Sequence, residues 1–316
     1  MKQEMLNAAR SLLTQNMALK TGEELLVVVD ESTFTIGEAL FKAGEELGAN
    51  AILMRMQPTG RSGAEPTKTV AAAMAAADVV IAATRDSLSH TKARRHASAG
   101  GVRIATMPGI KEKMFQGGAM QADYEQVAAL ALKLANKLTA ATEAVVEKDG
   151  CRLTMSLAGR QGAACTGMCH EPGAFGNLPA GEAFIAPLEG TAEGTVIIDG
   201  SFAGLGELAG PLKLTFSAGQ LVAIEGPDKE RLHALLGDDP LARNLAELGI
   251  GTNEKARIIG VVLEDEKVYG TVHLALGSND GFGGNVAAGI HVDGIVTNPD
   301  LYLDGEQVVG GGKILI

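Results

Sequence analysis

Few side chains in this sequence are equipped for chemistry, and two of them stand together. GIHVDGIV, residues 289–296, places His291 and Asp293 two positions apart inside an apolar, β-prone run. In a strand, residues i and i+2 project to the same side. An imidazole and a carboxylate would therefore share one face, while Ile290 and Val292 take the other. A carboxylate on a buried face is costly unless paired, so either that face is wet or a positive charge stands before it. His273, in the strand-like YGTVHLALG, is the third candidate. The glycines of GFGG (281–284) permit a hairpin-like return that would set His273 beside the other two. Two imidazoles and a carboxylate are a common donor set for a divalent metal. The same HxD spacing also serves a plain His–Asp hydrogen bond at a sheet edge.

Two glutamates add to this set. Glu182, in NLPAGEAFIAP, follows a glycine and opens an apolar run. Glu247, in NLAELGIGTN, falls near the end of a predicted helix (240–248), where a carboxylate opposes the helix dipole. A nearby metal, or solvent, would offset that. Asp265 and Glu266 in LEDEKVYG are close in sequence, but charged runs are seldom buried, so this stretch reads as a solvated turn with Lys267.

The elements that must position these groups divide the chain in two. From 24 to 107, apolar strand runs (24–30, 51–56, 78–84, 102–107) alternate with helices (35–47, 67–77, 90–99), and a long helix follows over 122–146. Such alternation predicts a parallel sheet with helices on both faces, an α/β doubly wound domain over residues 1–148. Its ligand position would be the carboxyl edge, at 30–33 and 84–89. No GxGxxG or Walker loop is present, so a nucleotide is not supported. Residues 149–316 carry short strand patterns punctuated by Gly, Asn and Asp, with turns at SAGQ (217–220) and DGEQ (304–307). This half is a β-rich α+β domain carrying the metal site.

With 46% hydrophobic residues, no tryptophan and 3% aromatics, the core must be aliphatic. A net charge of −11 disfavours nucleic acid and anionic membranes as partners. No apolar run reaches transmembrane length, and the first residues lack a signal-peptide pattern. Three cysteines without framework spacing point to a reducing, cytoplasmic compartment.

The order NLPAGEAF, AELGIGTN, GTVHLALG and IHVDG resembles the aminopeptidase T and aminopeptidase S family of metallopeptidases across most of 175–300. The resemblance implies that Glu182, Glu247, His273, His291 and Asp293 bind divalent metal, one or two ions of Zn, Co or Mn. It implies a hydrolase cleaving a small amide or short peptide: the metals activate a water, and Glu182 or Glu247 takes its proton. It also implies a homodimer or higher homo-oligomer. Asp280 stands where the peptidases carry a tyrosine near the metals. A related branch, 2,5-dihydroxypyridine 5,6-dioxygenase, implies instead a non-haem Fe(II) ring-cleaving enzyme of a hydroxylated N-heterocycle. His273, His291 and Asp293 fit that two-histidine, one-carboxylate triad equally well; retention of both glutamates favours the hydrolase.

Other residues extend the expected site toward substrate. SLSHTKARRHA (87–97) would place His90 and Arg94 at a helix start capped by Ser89, where a substrate carboxylate could bind. His170, in the loop CTGMCHEP, and Asp280 complete the candidate pocket lining.

Overall fold

A computed structural model describes residues 3–316. Residues up to Gln126, together with Gly167–Ala180, form one compact unit; Val127–Thr166 and Gly181–Ile316 form the other. The sequence boundary at 148/149 lies in the turn Asp149–Gly150, between the paired strands Glu143–Lys148 and Cys151–Ser156. No helix among the described residues is long and apolar enough to cross a membrane.

The first unit is built on the expected parallel sheet. Strands β1 (Glu24–Val29), β2 (Asn50–Arg55), β3 (Val79–Ala83) and β4 (Arg103–Thr106) run in the order β2-β1-β3-β4, and Phe175–Asn177 adds a fifth beside β4. Both β3 and β4 are buried throughout, as covering both faces requires. Loops at the carboxyl edge are tied to one another. Asp30 accepts from the backbone N–H groups of Ser32 (2.8 Å) and Arg85 (2.5 Å). Ser89, Thr106 and Asn177 share a hydroxyl–amide cluster, with Ser89 Oγ 2.7 Å from Thr106 Oγ1.

The second unit departs from expectation at two places. The long helix stops at Ala140 rather than 146, and Glu143–Lys148 is a strand of an eight-stranded antiparallel sheet. In EAVVEK the consecutive Ala144, Val145 and Val146 are all buried, and the two β-branched valines favour a strand over a helix. Residues 240–248 do not form a helix either. A short 3₁₀ turn over Pro240–Arg243 leads directly into a strand containing Glu247, whose flanking Leu, Ile and Gly pair on both sides.

That strand belongs to a second antiparallel sheet, which carries the candidate chemistry. Its strands are β5 (Ala163–Cys165), β6 (Glu182–Ile185), β7 (Leu245–Gly251), β8 (Val272–Gly277) and β9 (His291–Val296), in the order β9-β8-β7-β6-β5, with two short strands beyond β9. Alternation divides its faces. Ala183, Ile185, Leu248, Ile250, Val272, Leu274, Leu276, Val292 and Val296 all enter the aliphatic core of the unit. The intervening residues, including all five motif residues, take the other face. Each fully buried aliphatic side chain contributes about 1.5–3 kcal/mol. A one-residue slip would expose that set and drive carboxylates into the core, so the core fixes the register that assembles the site.

Candidate metal centre

Cross-strand pairing brings the motif residues together. Ala275 lies opposite both Glu247 and Asp293, and His273 opposite Gly249 and Ile295; Glu182 pairs with Gly251. On this face the positions between the ionisable groups are glycine or alanine: Gly249, Gly251, Ala275 and Gly277. At Gly249 the small residue is obligatory. A Cβ there would lie 1.9 Å from His273 Nε2, so the imidazole occupies space that any side chain would fill. A Cβ at Gly251 would lie 2.0 Å from the Val268 carbonyl oxygen. Its absence lets the 267–268 backbone press against the sheet.

Glu247, His273 and Asp293 each offer a donor atom, all within 4.8 Å of one another. His273 is fully buried; its Nε2 lies 3.3 Å from Glu247 Oε1 and 3.4 Å from Glu182 Oε2. His291 faces the same group, with Nε2 3.4 Å from Glu247 Oε2 and 3.5 Å from Asp293 Oδ1. Its Nδ1 donates to the Ser278 carbonyl at 2.7 Å. A carbonyl only accepts, so the neutral ring carries its lone pair on Nε2, aimed at two carboxylates. Ring orientation through the second nitrogen is how metal-ligating histidines are commonly held. A divalent cation is the group that a lone pair and two carboxylates can share, and the donor set fits one.

Without such a cation, protons answer the charge. Burial opposes a charged His291, but Asp293 and Glu247 outweigh it and push the imidazole up to about 12. Burial likewise opposes a charged His273, yet Glu247 and Glu182 raise it to about 9. Burial disfavours the Asp293 carboxylate, and His291 overcomes this, holding it down at about 2. Glu247 is also held below its ordinary range by the two imidazoles, against burial.

Lys267 was missed from the sequence. The stretch LEDEK is not a solvated turn: Glu264 and Asp265 are fully buried, and Lys267 is 2% exposed. Glu264 and Asp265 accept from the backbone of Arg257 (3.1 Å) and Ile259 (2.7 Å), pinning the preceding loop. Lys267 Nζ sits 2.5 Å from Glu182 Oε1 and 2.5 Å from Glu266 Oε1. Burial raises Glu266 to about 7, against the pull of Lys267. Cys165, opposite Glu182 in the β5–β6 pair, is pushed up to about 12 by burial and stays a thiol.

Phe184 and Phe282 were also missed, since isolated phenylalanines carry no motif. Their rings meet edge to face at 5.5 Å, and Phe282 meets His291 the same way at 5.7 Å. Phe282 rides on a loop that Glu189 holds by accepting from Asn279 Nδ2 (2.9 Å) and Asn285 N (2.8 Å); Arg160 bonds both Glu189 and the Gly283 carbonyl. Asp280 lies on this loop and is exposed.

His90, Arg94 and His170 belong to the first unit. The helix Lys92–Ala99 is capped by Thr91 rather than Ser89, and Glu65 accepts from the N–H groups of Lys92 (2.6 Å) and Ala93 (3.1 Å). Its N-terminus thus already carries a carboxylate. Arg94 donates to the Ser89 carbonyl and lies 3.9 Å over the Phe175 ring. His170 is hydrogen-bonded to the Gln15 carbonyl and lines a cavity of about 580 Å³ with Thr14, Asp123 and Met168.

Residues 4–316 match the family model NicX, 2,5-dihydroxypyridine 5,6-dioxygenase. The 2,5-dihydroxypyridine 5,6-dioxygenase of Pseudomonas putida is 27% identical over 169 residues, which is 47% of this chain and 47% of that protein. The aligned segment therefore spans about half of the relative's length. The solved 2,5-dihydroxypyridine dioxygenase from Pseudomonas putida KT2440 superposes with a TM-score of 0.81 at 20% identity, over 98% of this chain and 96% of that one. Wild-type AmpT from Thermus thermophilus gives 0.74 at 18% identity over 99% of each. Both superpositions bear out the scaffold common to the peptidase and dioxygenase branches. The family match overturns the expectation of a metal-dependent, aminopeptidase-like hydrolase. That expectation rested on counting Glu182 and Glu247 as ligands of paired metals, but in the fold one oxygen of Glu182 is already paired with the ammonium of Lys267.

Proposed function

The chain belongs to the 2,5-dihydroxypyridine 5,6-dioxygenase family, and from that premise we propose that it is a non-haem, metal-dependent dioxygenase opening the ring of a small hydroxylated N-heterocycle. The observation that carries this reading is two imidazoles and an aspartate projecting from one sheet face. Two histidines and one carboxylate are the donor set of mononuclear Fe(II) oxygenases. In the proposal His273 Nε2, His291 Nε2 and Asp293 hold the ion. A ferrous ion, when bound, supplies open coordination positions and the electrons that dioxygen chemistry requires.

The chain's own groups do the rest. The Ser278 carbonyl keeps the His291 lone pair on Nε2. Phe184 and Phe282 form an aromatic wall beside His291, suited to a flat heterocycle. Glu247, ionised and facing both imidazoles, receives the proton of a ring hydroxyl. The substrate is a small molecule, not a peptide. A homo-oligomer in a reducing cytoplasm completes the proposal; none of the three cysteines is in a disulfide, and light scattering of the purified protein checks its assembly.

The decisive experiment loads the purified protein anaerobically with Fe(II), adds 2,5-dihydroxypyridine, and admits air. The reading expects uptake of one dioxygen per ring lost. Absence of uptake by iron-loaded protein across a panel of hydroxylated pyridines would overturn it.

A further inference from the structure

The face that gathers the metal donors also carries a fixed positive charge. Lys267 reaches it because Gly251 has no side chain: the 267–268 backbone fills the space a Cβ would take. The backbone is held there by Asn253 N donating to the Lys267 carbonyl at 2.8 Å and Lys267 N donating to the Glu264 carbonyl at 2.9 Å. The Lys267 side chain is 3% exposed and ends between two carboxylates, Glu182 and Glu266. Glu182 thus divides its oxygens. Oε1 is against the ammonium, while Oε2 faces His273.

Four carboxylates crowd this face: Glu182, Glu247, Glu266 and Asp293. Two-metal sites hold their ions about 3.5–4 Å apart and need carboxylates to bridge and flank the pair. Here the carboxylate at the β6 end of the cluster is already engaged by a cation. A second divalent ion on Glu182 Oε1 would share one oxygen with the ammonium, two like charges at bonding distance from the same atom.

Resting on the metal-centre reading above, we propose that Lys267 takes the place of a second metal ion: its ammonium holds Glu182 as a counter-ion and restricts the face to one divalent cation. This assigns Lys267 a positioning role that sets metal stoichiometry.

The test measures metal per chain, independently of turnover. Wild-type protein and the Lys267→Met, Lys267→Arg and Lys267→Met/Glu182→Gln variants are equilibrated with Mn²⁺, desalted, and analysed by elemental analysis and electron paramagnetic resonance. The proposal expects one Mn²⁺ per chain with an isolated-ion spectrum in the wild type, in Lys267→Arg and in the double variant. It expects two per chain with a spin-coupled spectrum in Lys267→Met. One isolated ion in Lys267→Met overturns the role of Lys267 and leaves the metal centre standing. Two ions in the wild type do the same. No bound Mn²⁺ in the wild type overturns the metal centre itself. Should Lys267→Met not fold, Lys267→Met/Glu266→Gln removes the second uncompensated carboxylate and carries the same expectations.

Discussion

Gly249→Ala tests the site without deleting a single donor. Gly249 adopts no left-handed backbone, so alanine suits its φ and ψ; the conflict is purely with His273. The new Cβ would stand 1.9 Å from His273 Nε2, where ordinary contact begins at 3.4 Å, so the ring must retreat by about 1.5 Å. Metal–nitrogen bonds are about 2.0–2.1 Å long and tolerate deviations of only about 0.2 Å. The displaced imidazole therefore leaves the coordination sphere. Disturbing groups that merely orient a ligand costs roughly 10–100-fold in metal affinity. Moving the ligand itself is expected to cost at least about 100-fold, or about 2.7 kcal/mol. Overpacking would add a loss of about 1–3 kcal/mol in folding stability, so circular dichroism must first show a folded variant. Isothermal titration with Mn²⁺ then gives the affinity. A folded Gly249→Ala protein that binds metal as tightly as wild type would refute the placement of His273 at the centre.

Three further expectations follow from the same geometry. Glu247→Gln should retain metal within about tenfold while turnover falls about 10²–10⁴-fold, the usual worth of a positioned proton acceptor; complete loss of metal would make Glu247 an obligatory ligand instead. Burial works against the charge of Glu189, but the Asn285 N–H, Asn279 and Arg160 outweigh it and hold its carboxyl below the ordinary 4.5. The stabilisation of the 279–285 loop is thus present above that value and is lost as pH falls through the lowered pKa; hydrogen exchange equally slow in this loop on both sides of the transition would contradict the network. Chelation should lower the melting temperature by about 5–10 °C relative to protein held at a hundredfold excess of metal over its dissociation constant. An unchanged melting temperature in calorimetry would argue against an ordered metal in the folded state.

Much of this protein is legible in its residues because local pattern and burial agree. Continuous apolar runs marked the parallel strands, and SAGQ and DGEQ turn at Ala218–Gly219 and Asp304–Gly305, all with positive φ. The HxD pair with His273 is brought together by the β8–β9 hairpin anticipated around GFGG. Where local pattern and packing disagreed, packing won. Glu247 looked helical from its neighbours, yet pairing with β6 and β8 made it a strand residue. The sequence by itself determined which side chains can bind a cation and that alternation puts them on one face, because strand periodicity is a property of adjacent residues. Only the tertiary structure decided how their charges are shared. Lys267 and Glu182 are 85 positions apart, and nothing in LEDEK distinguishes a buried ammonium from a solvated one. An ion pair forms where two segments meet, and here they meet because Gly251 leaves room for a backbone.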